Sequence, residues 1–457
     1  MEPSNRMQYI NRRPPFPESC RRHPAPSHPQ SANAYRLSQV RLNEGAGIAG
    51  LSSHPSYTGA GIVSLLKILL FLLLVAASPV QARAEAWTYG WYAAPVAATK
   101  LPNTSGPTIF DDQTVLQAAR VEASGTRFRL RLSNELGADV VTFASVAIAL
   151  ADADGSSSTP AIRPVVFNGR NGGRIPAGAV LVSDPVEVPI AASERLLIWV
   201  HFREPTQVAG HLQALQIAPG DQTGSTRMEG AAEAKGPAIV SAVEVDRSQD
   251  GPVIVAVGDS ITEGDKSSAG ADMSWPQQLA RRLKASPAHR HWTVINAGIN
   301  GNRVLHEGFA PPLLARFDRD VLGVPGVTHV VLLEGINDIG WGNLPESPAS
   351  AAEIIGAYRQ LIARAHARGV KIVGGTLLPF EGAVYYRPDA ERMRQEVNDW
   401  IRSSGAFDGV IDFAAALADP EHPLRLSPAA DSGDHLHPGD RGYWMMAHAV
   451  DPRLFSR

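Results

Sequence analysis

Short runs that alternate apolar and polar residues fill the chain from about residue 85 to residue 206. In the run TRFRLRLSN, Phe128, Leu130 and Leu132 share one side and three arginines share the other. A period of two with one polar side is typical of antiparallel strands that are buried on one face only. Because turns rich in Gly, Pro and Asn separate the runs, residues 85–206 are predicted to form an antiparallel β-sandwich.

A different pattern begins after residue 250, where continuous apolar runs alternate with segments of helical spacing. Strands that are apolar on both faces indicate a parallel sheet covered by helices, so residues 251–457 are predicted to form an α/β domain. Helices are expected where apolar residues recur four positions apart, as at Trp275, Leu279 and Leu283. The predicted strands lie near residues 253–257, 293–297, 328–333, 370–376 and 409–413.

Residues 207–250 lie between these two regions and follow neither pattern. They are rich in Gly and Ala, and they contain one strand-like run from Ile239 to Val245. We therefore interpret residues 207–250 as a connection between two domains.

The first 84 residues differ from the rest of the chain. Residues 1–62 are rich in Pro, Ser and Arg without any periodicity, which predicts a disordered extension, or an untranslated one if the start codon is assigned too early. Residues 63–84 combine a lysine, the apolar run ILLFLLLVAA and an Ala-Arg-Ala triplet, as a secretory signal peptide does. Cleavage after Ala84 would make the protein secreted or periplasmic, whereas an uncleaved leader would anchor it to a membrane.

Composition restricts the chemistry of the exported part. The only cysteine, Cys20, precedes the predicted cleavage site, which excludes disulfides, thiolate nucleophiles and Cys-ligated metals from the remaining chain. Nine of the 42 basic residues and three of the 45 acidic residues also precede residue 85, which leaves 33 basic and 42 acidic residues and a formal net charge of −9. An acidic chain without basic runs argues against a nucleic-acid partner.

Polar residues follow the predicted strands of the α/β domain. Ser260 comes directly after the first strand, Gly301 after the second and Asn337 after the third, and Asp434 and His437 precede the final helix. In a parallel sheet, ligands bind outside the carboxyl ends of the strands. These residues are therefore expected to meet at one edge of the sheet.

Together, these five residues supply what acyl transfer requires. A serine nucleophile must lose its proton to an imidazole, and a carboxylate must orient that imidazole. Asp434 and His437 are three positions apart, so one turn can bring the carboxylate to the ring. The N–H groups of Ser260 and Gly301 and the side chain of Asn337 could then stabilise the oxyanion.

Each residue also has a purely structural interpretation. Ser260 could cap the next helix, with Glu263 completing an S-x-x-E capping box. Gly301 could serve a turn that needs positive φ, and Asn337 could form an Asx turn. The acid and the histidine could be ordinary loop residues before a helix that starts at a proline.

The motifs of the C-terminal half resemble those of the SGNH, or GDSL-type, hydrolase family. The family's G-D-S-x-T-x-G block corresponds to residues 258–264, its second-block glycine to Gly301, its G-x-N-D block to residues 335–338 and its D-x-x-H block to residues 434–437. The resemblance covers about residues 252–450. It implies a flavodoxin-like, five-stranded sheet and serine esterase chemistry without a cofactor. Similar two-domain members carry a β-sandwich before the hydrolase domain.

The expected partner is a small-molecule or polysaccharide ester. Export, the sandwich domain and the resemblance favour O-acyl groups on carbohydrates, acetyl in particular, over the longer-chain esters of a lipase or lysophospholipase. Trp341, Tyr385 and Tyr386 follow the third and fourth strands and either line the substrate pocket or pack in the core.

Two other classes of function compete with the esterase. The chain could be a carbohydrate-binding module whose hydrolase scaffold is degenerate, although an intact set of polar residues argues against this. His435 and His437 with Asp434 could in principle ligate zinc, but no second cluster completes a site, so no metal is expected.

Overall fold

The computed structural model of the protein describes residues 87–100, 104–151, 162–247, 251–344 and 348–456. The predicted extension, signal peptide and Cys20 lie outside these residues. Within the described ranges, no helix combines the length and apolar character needed to cross a bilayer.

The N-terminal region contains two main antiparallel sheets, as predicted. One sheet has the strand order β1-β14-β4-β9, and the other has the order β13-β12-β3-β10-β6-β7. The short pairs β11-β2 and β5-β8 accompany them. The strands are β1 (Trp87–Tyr92), β2 (Ile109–Phe110), β3 (Gln113–Arg120), β4 (Gly125–Ser133), β5 (Val141–Phe143), β6 (Ser145–Leu150), β7 (Arg163–Val165), β8 (Gly173–Ile175), β9 (Val180–Val182), β10 (Arg195–Phe202), β11 (Thr206–Gln207), β12 (His211–Pro219), β13 (Ala232–Ala238) and β14 (Val240–Arg247).

The core of this region lies between the two sheets. Phe128, Leu130 and Leu132 of β4 are fully buried, as their alternation predicts. Ile198 and Val200 of β10 belong to the same apolar cluster, so the two sheets share one core. This packing of two antiparallel sheets is a β-sandwich.

The interpretation of residues 207–250 as a connection is wrong. Strands β12, β13 and β14 lie in this segment, and β14 pairs with both β1 and β4 in the centre of its sheet. The predicted run from Ile239 to Val245 corresponds to β14, but β12 and β13 carry few β-branched residues. Pairing with neighbouring strands, rather than intrinsic propensity, makes them strands.

The C-terminal region is an α/β domain with a parallel sheet of five strands, which confirms the predicted fold class. The strand order is β16-β15-β17-β18-β19, the 2-1-3-4-5 order of flavodoxin-like folds. The strands are β15 (Val253–Gly258), β16 (Thr293–Gly298), β17 (His329–Leu333), β18 (Lys371–Gly375) and β19 (Gly409–Ile411). The α-helices are α1 (Ser260–Glu263), α2 (Trp275–Lys284), α3 (Leu313–Phe317), α4 (Ile336–Trp341), α5 (Ala351–His366), α6 (Pro388–Ser403), α7 (Phe413–Leu417) and α8 (Asp440–Ala449).

Helices bury the central strands on both faces of the sheet. Residues 253–257 of β15 are fully buried. Trp275 and Leu279 of α2, which the helical spacing identified, are also fully buried in the same core. The sheet therefore presents its carboxyl edge, and not its faces, to a ligand.

The sandwich packs against the α/β domain at β16, an edge strand of the five-stranded sheet. Thr88 Oγ1 donates a hydrogen bond to the Pro325 carbonyl (3.0 Å), and the buried Tyr92 hydroxyl donates to Asp320 Oδ1 (2.7 Å). A cavity of about 270 Å³ lies at this junction, and His211 and Glu263 are among its lining residues. Covering an edge strand in this way also prevents it from pairing with another chain.

Candidate active site

Ser260 is the first residue of α1 and lies two positions after Gly258, the last residue of β15. The helix is capped by Asp259, whose Oδ1 accepts the N–H of Ile261 (2.9 Å). The predicted capping box is therefore wrong, since Ser260 is not the cap and the Glu263 carboxylate instead accepts the N–H of Asn300. This arrangement frees the Ser260 hydroxyl for another partner.

The turn before Ser260 requires a glycine because the chain passes very close to its neighbours. A Cβ atom on Gly258 would lie 2.2 Å from the carbonyl oxygen of Leu333 and 2.3 Å from Thr262 Oγ1. Real Cβ atoms do not approach other heavy atoms this closely. Gly258 thus permits the tight strand-to-helix turn that presents Ser260 at the sheet edge.

Ser260, His437 and Asp434 form a continuous hydrogen-bonded chain. The Ser260 Oγ atom lies 2.8 Å from His437 Nε2, and His437 Nδ1 lies 2.8 Å from Asp434 Oδ2. The other oxygen of Asp434 accepts the backbone N–H groups of Leu436 (3.0 Å) and His437 (2.8 Å). The three-residue spacing therefore brings the carboxylate to the ring, as the sequence predicts.

Electrostatics favour an ionised Asp434. Burial raises the pKa of Asp434, but hydrogen bonds from the backbone and ring of His437 and from Leu436 lower it, with a net pKa below the usual value. An ionised carboxylate accepts the Nδ1–H of His437, which leaves Nε2 available to accept the Ser260 proton. The arrangement is suited to general-base activation of a hydroxyl.

The turn that carries Gly301 contacts the start of helix α4, which carries Asn337, at the same edge. Gly301 has φ +67°, a conformation that favours glycine. Asn337, at the start of α4, is buried and donates one side-chain N–H to the Asn302 carbonyl (3.0 Å). Asp338 holds the loop beyond Gly301 by accepting the N–H groups of Val304 (2.7 Å) and Leu305 (3.0 Å).

Sequence reasoning did not identify Phe309, which packs directly against Gly301. A Cβ atom on Gly301 would lie 2.2 Å from Phe309 Cδ2. The Phe309 ring also contacts Trp341 edge-on, at 6.2 Å between ring centroids. Phe309 follows Gly301 in an irregular loop, so no periodicity in the sequence distinguishes it.

The three aromatic residues predicted as possible substrate contacts occupy different places. Trp341 lies between Phe309 and Tyr385, and the ring centroids of Trp341 and Tyr385 are 6.3 Å apart. The Tyr385 hydroxyl lies 3.5 Å from Asn337 Oδ1, close to the Asn337 carboxamide. Tyr386 instead packs edge-on against Phe380 at 5.2 Å.

Arg316 is a second residue that the sequence did not reveal. Its fully buried guanidinium donates to the carbonyl oxygens of Gly258 (3.0 Å) and Ala297 (2.9 Å) and to Asn302 Oδ1 (2.7 Å). It therefore ties the end of β15 to the loop that carries Gly301. An arginine within the apolar sequence LLARF is the only signal, and it does not separate a buried arginine from an exposed one.

Two further carboxyl groups lie close to the hydrogen-bonded chain. Burial raises the pKa of Asp259 to about 7, against the lowering effect of its hydrogen bond from Ile261 and of nearby His437. Asp265 Oδ2 lies 3.9 Å from His437 Nε2. Both carboxyl groups therefore contribute to the electrostatic environment of the Ser260–His437 pair.

The neighbouring histidine has a different partner. His435 Nδ1 lies 2.6 Å from Asp431 Oδ2. No cluster of three or more His, Cys, Asp or Glu side chains suited to a metal ion occurs in the parts of the chain that the structure describes.

Comparison with known proteins identifies similar proteins for the α/β domain. Residues 256–445 match the model of the GDSL-like Lipase/Acylhydrolase family. No curated protein sequence matches this one.

Three solved structures are similar to this chain over less than half of its length. A GDSL-like lipase from Bacteroides thetaiotaomicron VPI-5482 is 21% identical, with 44% of this chain and 87% of that chain covered and a TM-score of 0.34. An acetylxylan esterase from Geobacillus stearothermophilus is 25% identical, with 46% and 95% covered and a TM-score of 0.36. An alpha/beta hydrolase enzyme from the metagenome of Lake Arreo, Spain, is 22% identical, with 44% and 93% covered and a TM-score of 0.36.

Proposed function

We propose, from the premise that residues 256–445 form a GDSL-like lipase/acylhydrolase domain, that the protein is an esterase with Ser260 as its nucleophile. The family is one of ester hydrolases, so the reaction class follows from membership. The observation that carries the assignment of residues is the chain from Ser260 Oγ to His437 Nε2 (2.8 Å) and from His437 Nδ1 to Asp434 Oδ2 (2.8 Å).

In the first step, Ser260 Oγ forms a bond to the ester carbonyl carbon while His437 Nε2 takes the hydroxyl proton. Asp434 stabilises the resulting imidazolium. The negative charge that develops on the carbonyl oxygen is stabilised by the N–H groups of Ser260 and Gly301 and by the Asn337 side chain. His437 then protonates the alcohol, whose bond to the acyl carbon breaks and leaves an acyl-enzyme.

In the second step, water repeats the sequence on the acyl-enzyme. His437 takes a proton from water as the water oxygen attacks the acyl carbon. It then returns the proton to Ser260 Oγ as the carboxylic acid is released. Each proton and electron pair is accounted for by substrate, water and these side chains.

The test is the hydrolysis of a chromogenic acetyl ester by the Ser260→Ala variant. We expect kcat/KM to fall by about 10⁴-fold or more. Ser286→Ala is the matched control, because Ser286 Oγ also lies near a histidine nitrogen (His289 Nδ1, 3.1 Å) but outside the candidate site. Near-normal turnover by the Ser260 variant would refute the assignment. The unmodified protein is expected to retain its activity in the presence of a chelator.

We further propose that the natural substrate carries short acyl groups, acetyl in particular, on a carbohydrate. Phe309 packs directly against Gly301, and a bulky ring beside this proposed oxyanion donor supports a short acyl group. Phe309 and Trp341 are half-buried, so part of each ring is accessible for packing against the apolar face of a sugar.

One observation favours the longer-chain esters of a lipase. Leu344 and Val384 are 39% and 98% exposed and are close in sequence to Trp341 and Tyr385, so they could extend an apolar groove. Comparing kcat/KM for acetyl and dodecanoyl esters of one alcohol separates the two substrates. A preference of the unmodified protein for the dodecanoyl ester would contradict the short-chain proposal. The Phe309→Ala variant should hydrolyse the dodecanoyl ester faster, relative to the acetyl ester, than the unmodified protein does.

We also propose that the protein is exported, because the segment from residue 63 to residue 84 has the parts of a signal peptide. N-terminal sequencing of the mature protein is expected to give Glu85 as its first residue. A mature chain that retains the apolar run would indicate a membrane anchor instead.

A further inference from the structure

The Glu263 side chain joins an active-site loop to the β-sandwich. One carboxylate oxygen, Oε2, accepts the N–H of Asn300, the residue that precedes Gly301. The other, Oε1, lies 3.5 Å from Nε2 of His211, the first residue of β12 in the sandwich. Glu263 is only three positions after Ser260, so a single side chain links the nucleophile's helix, the Gly301 loop and the other domain.

The two partners of the His211 ring favour its charged form. His211 Nδ1 lies 2.9 Å from the Ala94 carbonyl oxygen, which can only accept, while Nε2 faces the Glu263 carboxylate. A proton on each ring nitrogen would suit both partners. Burial lowers the pKa of His211, but Glu263 and the Ala94 carbonyl raise it, and the net pKa is above the ordinary value.

We propose that the β-sandwich positions the oxyanion loop of the hydrolase domain, with His211 acting through Glu263 on the backbone at Asn300 and Gly301. This inference rests on the proposed function, because it assigns the Gly301 N–H to the oxyanion. His211 and Glu263 are positioning residues that act through the loop and not on the substrate.

The physical reason lies in the geometry that an oxyanion donor needs. Such a donor must already point at the position of the oxyanion, and losing one donor typically costs 10²–10³-fold in rate. The Asn300 N–H is held by Glu263, and the positive charge of His211 holds Glu263 in place. Without His211, the carboxylate can turn into the adjoining cavity, and the loop loses its fixed orientation.

The experiment compares Glu263→Ala, His211→Ala and the double variant in steady-state hydrolysis of an acetyl ester. We expect kcat to fall about 100-fold for Glu263→Ala and about 10-fold for His211→Ala, with KM changed less than about twofold. The double variant should match Glu263→Ala alone, because His211 acts only through Glu263. His211→Gln, which keeps an N–H donor, should recover part of the lost kcat.

Gln213→Ala is the matched control. Gln213 lies two positions along β12, lines the same cavity, and has a buried side-chain Nε2 without a hydrogen-bond partner among the described residues. Its kcat and KM should equal those of the unmodified protein. Thermal melting of every variant separates a loss of folded protein from a loss of kcat.

Three results would overturn the proposal. The first is an unchanged kcat in His211→Ala. The second is a double variant whose loss of kcat equals the product of the two single losses. The third is a rise in KM, with kcat unchanged, in either single variant. If His211→Ala does not fold, His211→Gln and Glu263→Ala carry the same test. Failure of the proposed function is recognised separately, because Ser260→Ala would then retain activity whatever the sandwich variants do.

Discussion

Buried polar residues serve different purposes in the two domains. In the sandwich, the buried Asn134 side chain donates from Nδ2 to three backbone carbonyl groups at 2.8–3.1 Å and closes a turn. In the α/β domain, the buried Asn337 side chain donates to one carbonyl group, that of Asn302, at 3.0 Å. The first carboxamide donates only to backbone groups that shape the turn, whereas the second has one such acceptor among the described residues, which leaves an N–H for the proposed oxyanion contact.

Two histidines repeat this contrast. His201 in the sandwich is buried, and its Nε2 lies 3.2 Å from Asp112 Oδ1. Among the described residues, the contacts of its ring are with carboxylates and not with a hydroxyl. His437 lies between a carboxylate and the hydroxyl of Ser260. Both residues are histidines beside a carboxylate. Only the Ser260 hydroxyl on the other side of the His437 ring supports acid–base chemistry. The comparison teaches that the position at the sheet edge, and not burial or residue type, marks the candidate chemistry.

The histidine pair gives the largest expected difference. His437→Ala should lower kcat/KM by about 10⁴-fold or more, because the general base is lost. His201→Ala should leave kcat/KM within about twofold and lower only the free energy of unfolding. Ester hydrolysis and chemical denaturation measure the two effects, and equal losses of activity in both variants would remove the contrast.

The asparagine pair should differ by a smaller factor. Asn337→Ala removes one oxyanion donor and should lower kcat about 10²–10³-fold with little change in KM. Asn134→Ala leaves backbone carbonyl groups without their donor and should cost about 1–3 kcal/mol of stability with unchanged kcat. The measurement is kcat beside urea unfolding, and a kcat effect confined to Asn134→Ala would contradict the assignment.

Tyr92→Phe tests the contact between the two regions. The Tyr92 hydroxyl donates to Asp320 Oδ1 (2.7 Å), and Asp320 Oδ2 also pairs with Arg316 (3.3 Å). Because Asp320 keeps its arginine partners, we expect a loss of about 1–3 kcal/mol in stability and less than about threefold in kcat. A large fall in kcat without any change in the unfolding midpoint would show that this contact is catalytic and not structural.

The last prediction concerns pH and stability and involves no expected change in kcat. Burial raises the pKa of Glu122 to about 7, against the lowering effects of Arg120 and Lys284. Since the folded protein holds this proton more tightly than the unfolded chain, the stabilisation is complete below about pH 4.5 and declines as pH rises through 7. The whole change is on the order of 3 kcal/mol.

Melting temperatures measured between pH 5 and pH 7.5 test this expectation. Glu122→Gln should have a flatter profile than the unmodified protein over that interval, because its side chain does not titrate. Parallel profiles for the two proteins would show that Glu122 does not titrate in this interval.

The sequence predicts the α/β domain well because strong local patterns lie beside the candidate residues. Ser260 follows a strand of continuous apolar residues, and the positions of Gly301 and Asn337 follow from the same rule. Their catalytic roles stay a prediction. The capping box was wrong, because Asp259 competes with Ser260 for the same cap position.

Other features depend on contacts between distant parts of the chain. Strands β12 and β13 are set by their partners and not by their own composition. Phe309, Arg316 and His211 acquire their places through contacts with loops that the sequence alone does not bring together. No local periodicity could reveal these contacts, since each joins residues on separate elements.

The most direct test of the central claim is mass spectrometry of the protein after reaction with a fluorophosphonate ester. We expect a single phosphonyl adduct on Ser260, with fluoride as the leaving group, and esterase activity lost in proportion to labelling. The His437→Ala variant should label far more slowly. An adduct on another residue, or full activity in protein whose Ser260 is labelled, would contradict the account.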